Sequence, residues 1–395
     1  MKEKDLLYGN LDDTYEEIVA IRRHLHRHPE LSFQEKETPE YIAAFHEKLG
    51  HRVRTNVGGN GVVAYLEGEN PGPTIALRAD FDALPIQEET DLPFKSENPG
   101  VMHACGHDGH TATLLGLAKV LNGMKEDLAG TVVFIHQHAE EMIPGGAKPM
   151  IEDGCLDGVD VIFGTHLQAQ VPLGEIRYRV GPLQAAADFF DIHIQGKGGH
   201  GASPHQTKDS ILIGSQLVTN LQQIVSRKVD PLDLAVVSVG SFEAKNANNV
   251  IADTALLKGT VRTFDKKVQD LIENEMETIV ASTCALSGAE GVLNYQRGYP
   301  ALVNHAEETA FVAELAKGVP GVEKVTESPK IMGGEDFSYY LQHVKGTFFF
   351  TGAEVTGKPT YPHHHPKFDI DERGLLIAAK VLGTAVLDYM LRINR

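Results

Sequence analysis

The chain has 395 residues, 42% hydrophobic and 23% charged, a balance that excludes a disordered polymer and a length that predicts two domains. A formal net charge of −18 repels polyanions and argues against nucleic acid or an anionic membrane as a partner. Three scattered cysteines, Cys105, Cys155 and Cys284, make no disulfide framework, the N-terminus is polar, and no apolar run reaches roughly 18 residues, so a cytoplasmic location is expected.

Ile18, Ile21 and Leu25 share one helical face, and Pro39 opens a second helix that stops at Gly50. Short β-branched runs at residues 62–66, 74–77, 131–135 and 159–163 predict strands of an α/β sheet, with a helix over 111–121 between them. Near Gly181-Pro182 the pattern changes. A strand at 189–195, a glycine-rich turn at 196–201, a helix at 210–227, strands at 234–242 and 255–264, and a helix at 266–286 form a β-α-β-β-α unit. After Gly298 the α/β pattern returns, with a strand at 347–351 and a helix at 375–393. The expected fold is therefore α/β: a central-sheet domain made of residues 1–183 and 298–395, interrupted by a smaller α+β domain at 184–297.

The segment from His103 to His110 reads H-A-C-G-H-D-G-H and lies where a strand gives way to a helix, the place where open α/β sheets put their sites. Cys105 and His107 form a C-x-H pair able to ligate a divalent ion from one loop. In isolation such a pair is commonly a small apolar residue beside a loop histidine, but here further ligand types recur at predicted strand ends. Glu140-Glu141 follows the strand at 131–135, where a turning chain lets one carboxylate bind metal while its neighbour faces a water. His166 ends the next strand, and the run His363-His364-His365 precedes the last helix. Asp80 and Asp82 close a strand upstream and suit the orientation of a ligand imidazole.

Together these segments, with R-R-H-L-H and P-E-L-S near the start, R-A-D-F-D-A-L-P, E-E-x-x-P-G-G-A, G-K-G-G-H-G-A-S-P-H, M-G-G-E-D-F and H-H-P-K-F, resemble one family. It is the aminoacylase, hippurate hydrolase and auxin-conjugate amidohydrolase group of two-metal metallopeptidases. The resemblance implies that Cys105 bridges two divalent ions (zinc, manganese, cobalt or nickel), that His107, Glu141, His166 and His364 complete the ligand set, and that Glu140 is the general acid/base. Asp82 is implied as a catalytic carboxylate with Asp80 behind it. In the inserted domain, a lid and dimerisation module in the family, His200 is implied to stabilise an oxyanion, while Asn249 and Arg262 match positions that hold a substrate carboxylate. The chain departs from many relatives in having Ala252 where they have proline. His103 and His110 are left to shape the loop and start the helix.

The implied activity is hydrolysis of the amide bond of N-acyl amino acids or short peptides by a homodimer or higher homo-oligomer assembled through the inserted domain. N-acetyl-diaminopimelate deacetylation and dipeptide cleavage are alternatives within the family. A non-catalytic small-molecule binding protein and a two-metal phosphoesterase are rivals from other classes, the latter disfavoured because the motifs lack a Lys/Arg cluster for phosphate.

Overall fold

The computed structural model describes residues 2–393 and divides into two compact units, residues 1–183 with 303–329 and 336–395, and residues 184–302 with 330–335. The second unit runs a few residues past the expected boundary and takes back residues 330–335, where the Ala185 amide donates to the Ile331 carbonyl at 3.0 Å.

The first unit is built on an eight-stranded mixed sheet with the order Arg52–Val57, Gly61–Glu67, Ala129–Gln137, Asn70–Asp80, Val161–Gln168, Lys345–Gly352, Glu175–Tyr178 and Lys324–Glu327. Asn70–Asp80 lies parallel to both Ala129–Gln137 and Val161–Gln168, and Val161–Gln168 is parallel to Lys345–Gly352, so four neighbouring strands end at one edge. Their interiors are buried hydrophobic runs, as parallel strands covered on both faces must be. The helices Lys2–Arg27, His107–Asn122 and Arg373–Ile393 contribute to the same core. The first is far longer than its Ile18, Ile21, Leu25 face suggested, because Leu7 and Leu11 extend that buried stripe. Gly116 lets His107–Asn122 press against it: a Cβ there would lie 2.3 Å from Ile18 Cγ1. Arg373–Ile393 has a stretch apolar enough to cross a membrane by composition, yet 83% of that stretch is buried inside the protein.

The second unit has a four-stranded antiparallel sheet ordered Ala235–Glu243, Thr254–Thr263, Ala186–Gln195, Glu290–Tyr299. Phe190, Ile192 and Ile194 alternate toward a core shared with the helices Ser210–Gln223 and Lys266–Leu286. Asp209 and Asp265 cap those helices through their side chains. The strand Glu290–Tyr299 extends the expected β-α-β-β-α order by one element, and its shallow burial explains why no apolar alternation announced it. The edge strand Arg52–Val57 of the first unit, polar and half exposed, escaped for the same reason.

Candidate metal centre

Asp80 ends the strand Asn70–Asp80, and Glu140 and Glu141 follow Ala129–Gln137. His166 lies near the end of Val161–Gln168, and His363 and His364 sit in the loop after Lys345–Gly352. The four strands are neighbours that finish at one edge, so residues far apart in sequence meet there. Cys105 enters from the loop before the His107–Asn122 helix, whose N-cap Gly106 has the left-handed φ of 92° that lets the chain turn from loop into helix. His364 likewise adopts a left-handed φ of 66°, and its amide donates to the Ala104 carbonyl at 2.8 Å, tying the two ligand loops together.

Within this cluster several groups of three side chains have donor atoms all within 4.8 Å: Cys105 with His166 and His363, Cys105 with Glu141 and His364, and His107 with Glu140 and Glu141. Cys105 and Glu141 are each shared between two groups. Cys105 Sγ is 3.4 Å from His166 Nε2 and 3.7 Å from His363 Nδ1, and His364 Nε2 is 3.1 Å from Glu141 Oε1.

The hydrogen bonds set the tautomers. His107 Nδ1 donates to Asp82 Oδ1 at 3.1 Å, which leaves Nε2 buried and without a hydrogen-bond partner among the described residues. His166 Nδ1 donates to the Leu167 carbonyl at 2.8 Å, freeing Nε2 toward Cys105. At His363 the direction reverses: Nε2 accepts from the Ala169 amide at 3.3 Å, so Nδ1 carries the hydrogen that points at the Cys105 sulfur. His363 is thus a donor to that sulfur, whereas His166 turns a lone pair toward it and His107 turns Nε2 toward Glu141.

Asp80 is fully buried; it accepts from His110 Nδ1 at 2.6 Å and from Arg78 Nη1 at 2.7 Å. His110 accepts in turn from the Leu167 amide at 2.9 Å, so it braces the backbone beside His166. Arg78 also donates to Asp336 Oδ1 at 2.9 Å, and Asp336 Oδ2 accepts from Ala147 N at 3.1 Å, steadying the chain after the Glu140-Glu141 loop.

Burial opposes charge on His107, but Asp80, Asp82 and Glu141 outweigh it and raise its pKa to about 10. The Cys105 thiol is pushed well up by burial and by the carboxylates of Glu141, Glu140 and Asp80. Burial together with His110 and His363 holds His166 well below the usual imidazole range, in its neutral form. A buried thiol, several carboxylates and two imidazole nitrogens make a donor set that fits divalent cations, since a cation reverses the penalty on the thiolate and takes the place of the proton that the carboxylates otherwise hold on His107 Nε2.

His200, Asn249 and Arg262 belong to the second unit. His200 lies on the two-residue strand Gly199–His200, paired with Val250 of Val250–Ile251, and the Asn249 carbonyl accepts from Gly201 N at 2.7 Å, so His200 and Asn249 share one ribbon. Arg262 sits apart on Thr254–Thr263, half-buried with its guanidinium 5.6 Å from the Phe189 ring centre, and no carboxylate pairs with it among the described residues. Ser32, Glu35, Arg78 and Asp336 lie around the cluster and were not singled out from sequence, where only their presence in or beside the quoted motifs could have marked them; His363, a candidate ligand of the triple-histidine run, lies beside the Cys105 sulfur as a donor.

The model of the peptidase family M20/M25/M40 matches residues 76–388. The chain is 60% identical over 380 residues to the amidohydrolase-type protein YhaA of Bacillus subtilis (strain 168), covering 96% of each. It is 49% identical over 297 residues to the N-acyl-L-amino acid amidohydrolase of Geobacillus stearothermophilus, covering 75% of this chain and 80% of that one. Among solved structures, the YXEP protein of Bacillus subtilis, described as a dinuclear metal binding peptidase from the M20 family, matches with a TM-score of 0.83 at 36% identity, covering 96% and 99%.

Proposed function

The chain belongs to peptidase family M20/M25/M40 and is a metal-dependent amide hydrolase, and from that premise we propose that it cleaves N-acyl amino acids at a dinuclear centre built on Cys105. The observation that carries this reading is the continuity of the donors: Cys105 joins the group with His166 to the group with Glu141 and His364, and Glu141 joins that one to His107, so the candidate ligands form one unbroken cluster. Cys105, His107, Glu141, His166 and His364 are the residues that would hold the ions, with His363 hydrogen-bonded to the Cys105 sulfur.

When bound, the two ions lower the pKa of water and polarise the scissile carbonyl. Glu140, buried next to Glu141, is proposed to take the proton of the attacking water and return it to the amine that leaves. Asp82 holds the Nδ1 hydrogen of His107, which keeps the lone pair of Nε2 available to a ligand. His200 is proposed to stabilise the oxyanion, and Asn249 and Arg262 to hold the carboxylate of the amino acid product. The three free, buried cysteines suit the proposed cytoplasmic setting, and a homodimer through the second unit is proposed for the assembly.

The test is a panel of N-acetyl and N-benzoyl amino acids, a dipeptide and a phosphate ester, assayed after chelation and after add-back of zinc or manganese. Hydrolysis of the N-acyl amino acids that vanishes with chelation and returns with metal is expected. Preferential cleavage of the phosphate ester, or amide cleavage indifferent to metal, would overturn the reading.

A further inference from the structure

The segment from Glu30 to Glu35 touches none of the proposed ligand atoms, yet it grips the backbone on both sides of Glu140. It is itself anchored. The Glu30 carboxylate accepts from the amides of Lys36, Glu37 and Thr38 at 2.9–3.1 Å, capping the helix Glu37–Lys48, and its carbonyl accepts from Ala83 N at 2.8 Å. From that fixed base two side chains reach forward.

Ser32 Oγ donates to Asp82 Oδ2 at 2.6 Å, and the same oxygen accepts from the Glu141 amide at 3.0 Å. Glu35, only 2% exposed, accepts from the Ala139 amide at 3.0 Å through Oε1 and from Asn60 Nδ2 at 2.9 Å through Oε2. Ala139 needs that grip. It is a non-glycine residue at φ 51°, a costly left-handed conformation, and its carbonyl is held from the other side by Gly146 N at 3.1 Å. The amides before and after Glu140 are therefore both fixed by carboxylates, Glu35 at Ala139 and Asp82 at Glu141.

We propose that Glu35 is a positioning residue for hydrolysis: it locks the Ala139 peptide in its left-handed turn and so fixes the direction in which the Glu140 carboxylate meets water. Burying a carboxylate is costly, and here burial raises its pKa to about 7 although the hydrogen bonds from Asn60 and Ala139 act to lower it. The inference rests on Glu140 being the general base.

The experiment uses the metal-loaded full chain and an N-acetyl amino acid that it hydrolyses, reading kcat, KM and bound metal per chain for Glu35→Ala, Glu35→Gln and Glu140→Gln. Glu35→Ala is expected to lower kcat by roughly 10- to 100-fold with KM and metal content unchanged, because a misdirected base loses rate and not ground-state binding. Glu35→Gln keeps an oxygen for the Ala139 amide while Asn60 can turn its amide to match, so it is expected to recover kcat to within about threefold of the parent. Should Glu35→Ala fail to fold, Glu35→Asp, one methylene too short to reach Ala139, is expected to show the same fall in kcat. Parental kcat in the folded Ala or Asp variant, or a loss that tracks loss of metal, overturns the proposal. Glu140→Gln separates the two levels: if it hydrolyses at the parental rate the base assignment itself is wrong, whereas an inactive Glu140→Gln beside an unaffected Glu35→Ala removes only the role of Glu35.

Discussion

The first unit buries two knots of histidine that differ in their company. In one, His46 Nδ1 lies 2.9 Å from His51 Nδ1, His46 Nε2 lies 2.9 Å from His136 Nε2, and His51 Nε2 lies 3.2 Å from Asn122 Oδ1. Asn122 donates through Nδ2 to the Leu49 carbonyl, so its oxygen accepts from His51, His51 accepts from His46, and His46 accepts from His136. Three neutral imidazoles run in series and end on a His136 Nδ1 that is buried without a hydrogen-bond partner, and no carboxylate hydrogen-bonds to them among the described residues. The other knot, His107, His110 and His166, lies among Asp80, Asp82, Glu141 and the Cys105 thiol and leaves His107 Nε2 buried without a hydrogen-bond partner. The contrast teaches that a buried imidazole nitrogen without a partner does not by itself mark a cation site, and that carboxylates and a thiol around it are what make a candidate one.

The sharpest way to break this contrast is to remove the reacting carboxylate. Glu140→Ala is expected to lower hydrolysis of an N-acyl amino acid by several orders of magnitude while bound metal, measured by mass spectrometry, stays near the parental level. Parental activity in that variant would dissolve the reading of the second knot. Next in size, Asp82→Asn leaves the Nδ1 hydrogen of His107 with a weaker acceptor and is expected to weaken metal binding by about 10- to 100-fold in chelator competition. An equal effect from His136→Gln, which touches only the first knot, would erase the distinction between the two.

The smallest effect belongs to the first knot and is read as stability. Burial holds His136 at about 3, below its ordinary 6.5, and burial likewise lowers His46 and His51. A histidine with a depressed folded-state pKa contributes its full stability above pH 6.5 and loses it as the pH falls toward the folded value, because the unfolded chain takes up the proton first. For His136 the loss between pH 7.5 and pH 5 is about 2 kcal/mol. His136→Gln, which cannot titrate but can still donate to His46, should narrow the difference in denaturation midpoint between those two pH values. An unchanged difference would show that this knot is not the acid-sensitive element.

Much of this was legible in the sequence because the relevant patterns are local. The β-branched runs around 74–77, 131–135 and 159–163 marked three strands that finish at one sheet edge, and H-A-C-G-H marked the loop that opens the helix His107–Asn122. The polar edge strand Arg52–Val57 and the shallow strand Glu290–Tyr299 left no such trace, since their residues pair through backbone and bury little side chain. Within the triple histidine, sequence could not distinguish His363 from His364. The difference lies in one amide, that of Ala169, which occupies His363 Nε2 and sends its other nitrogen's hydrogen toward sulfur.

By itself, then, the sequence determined the α/β class and which residue types a candidate centre could draw on, because periodicity and residue type are properties of short stretches. Tertiary structure alone decided that Asn70–Asp80, Ala129–Gln137, Val161–Gln168 and Lys345–Gly352 lie side by side, which is why Cys105 and Glu141 can each serve two ligand groups. It also decided that Glu35 reaches across to the amide of Ala139, over a separation of 104 residues. Adjacency and tautomer depend on which distant backbone groups meet, and that is settled only when strands pair and the core closes.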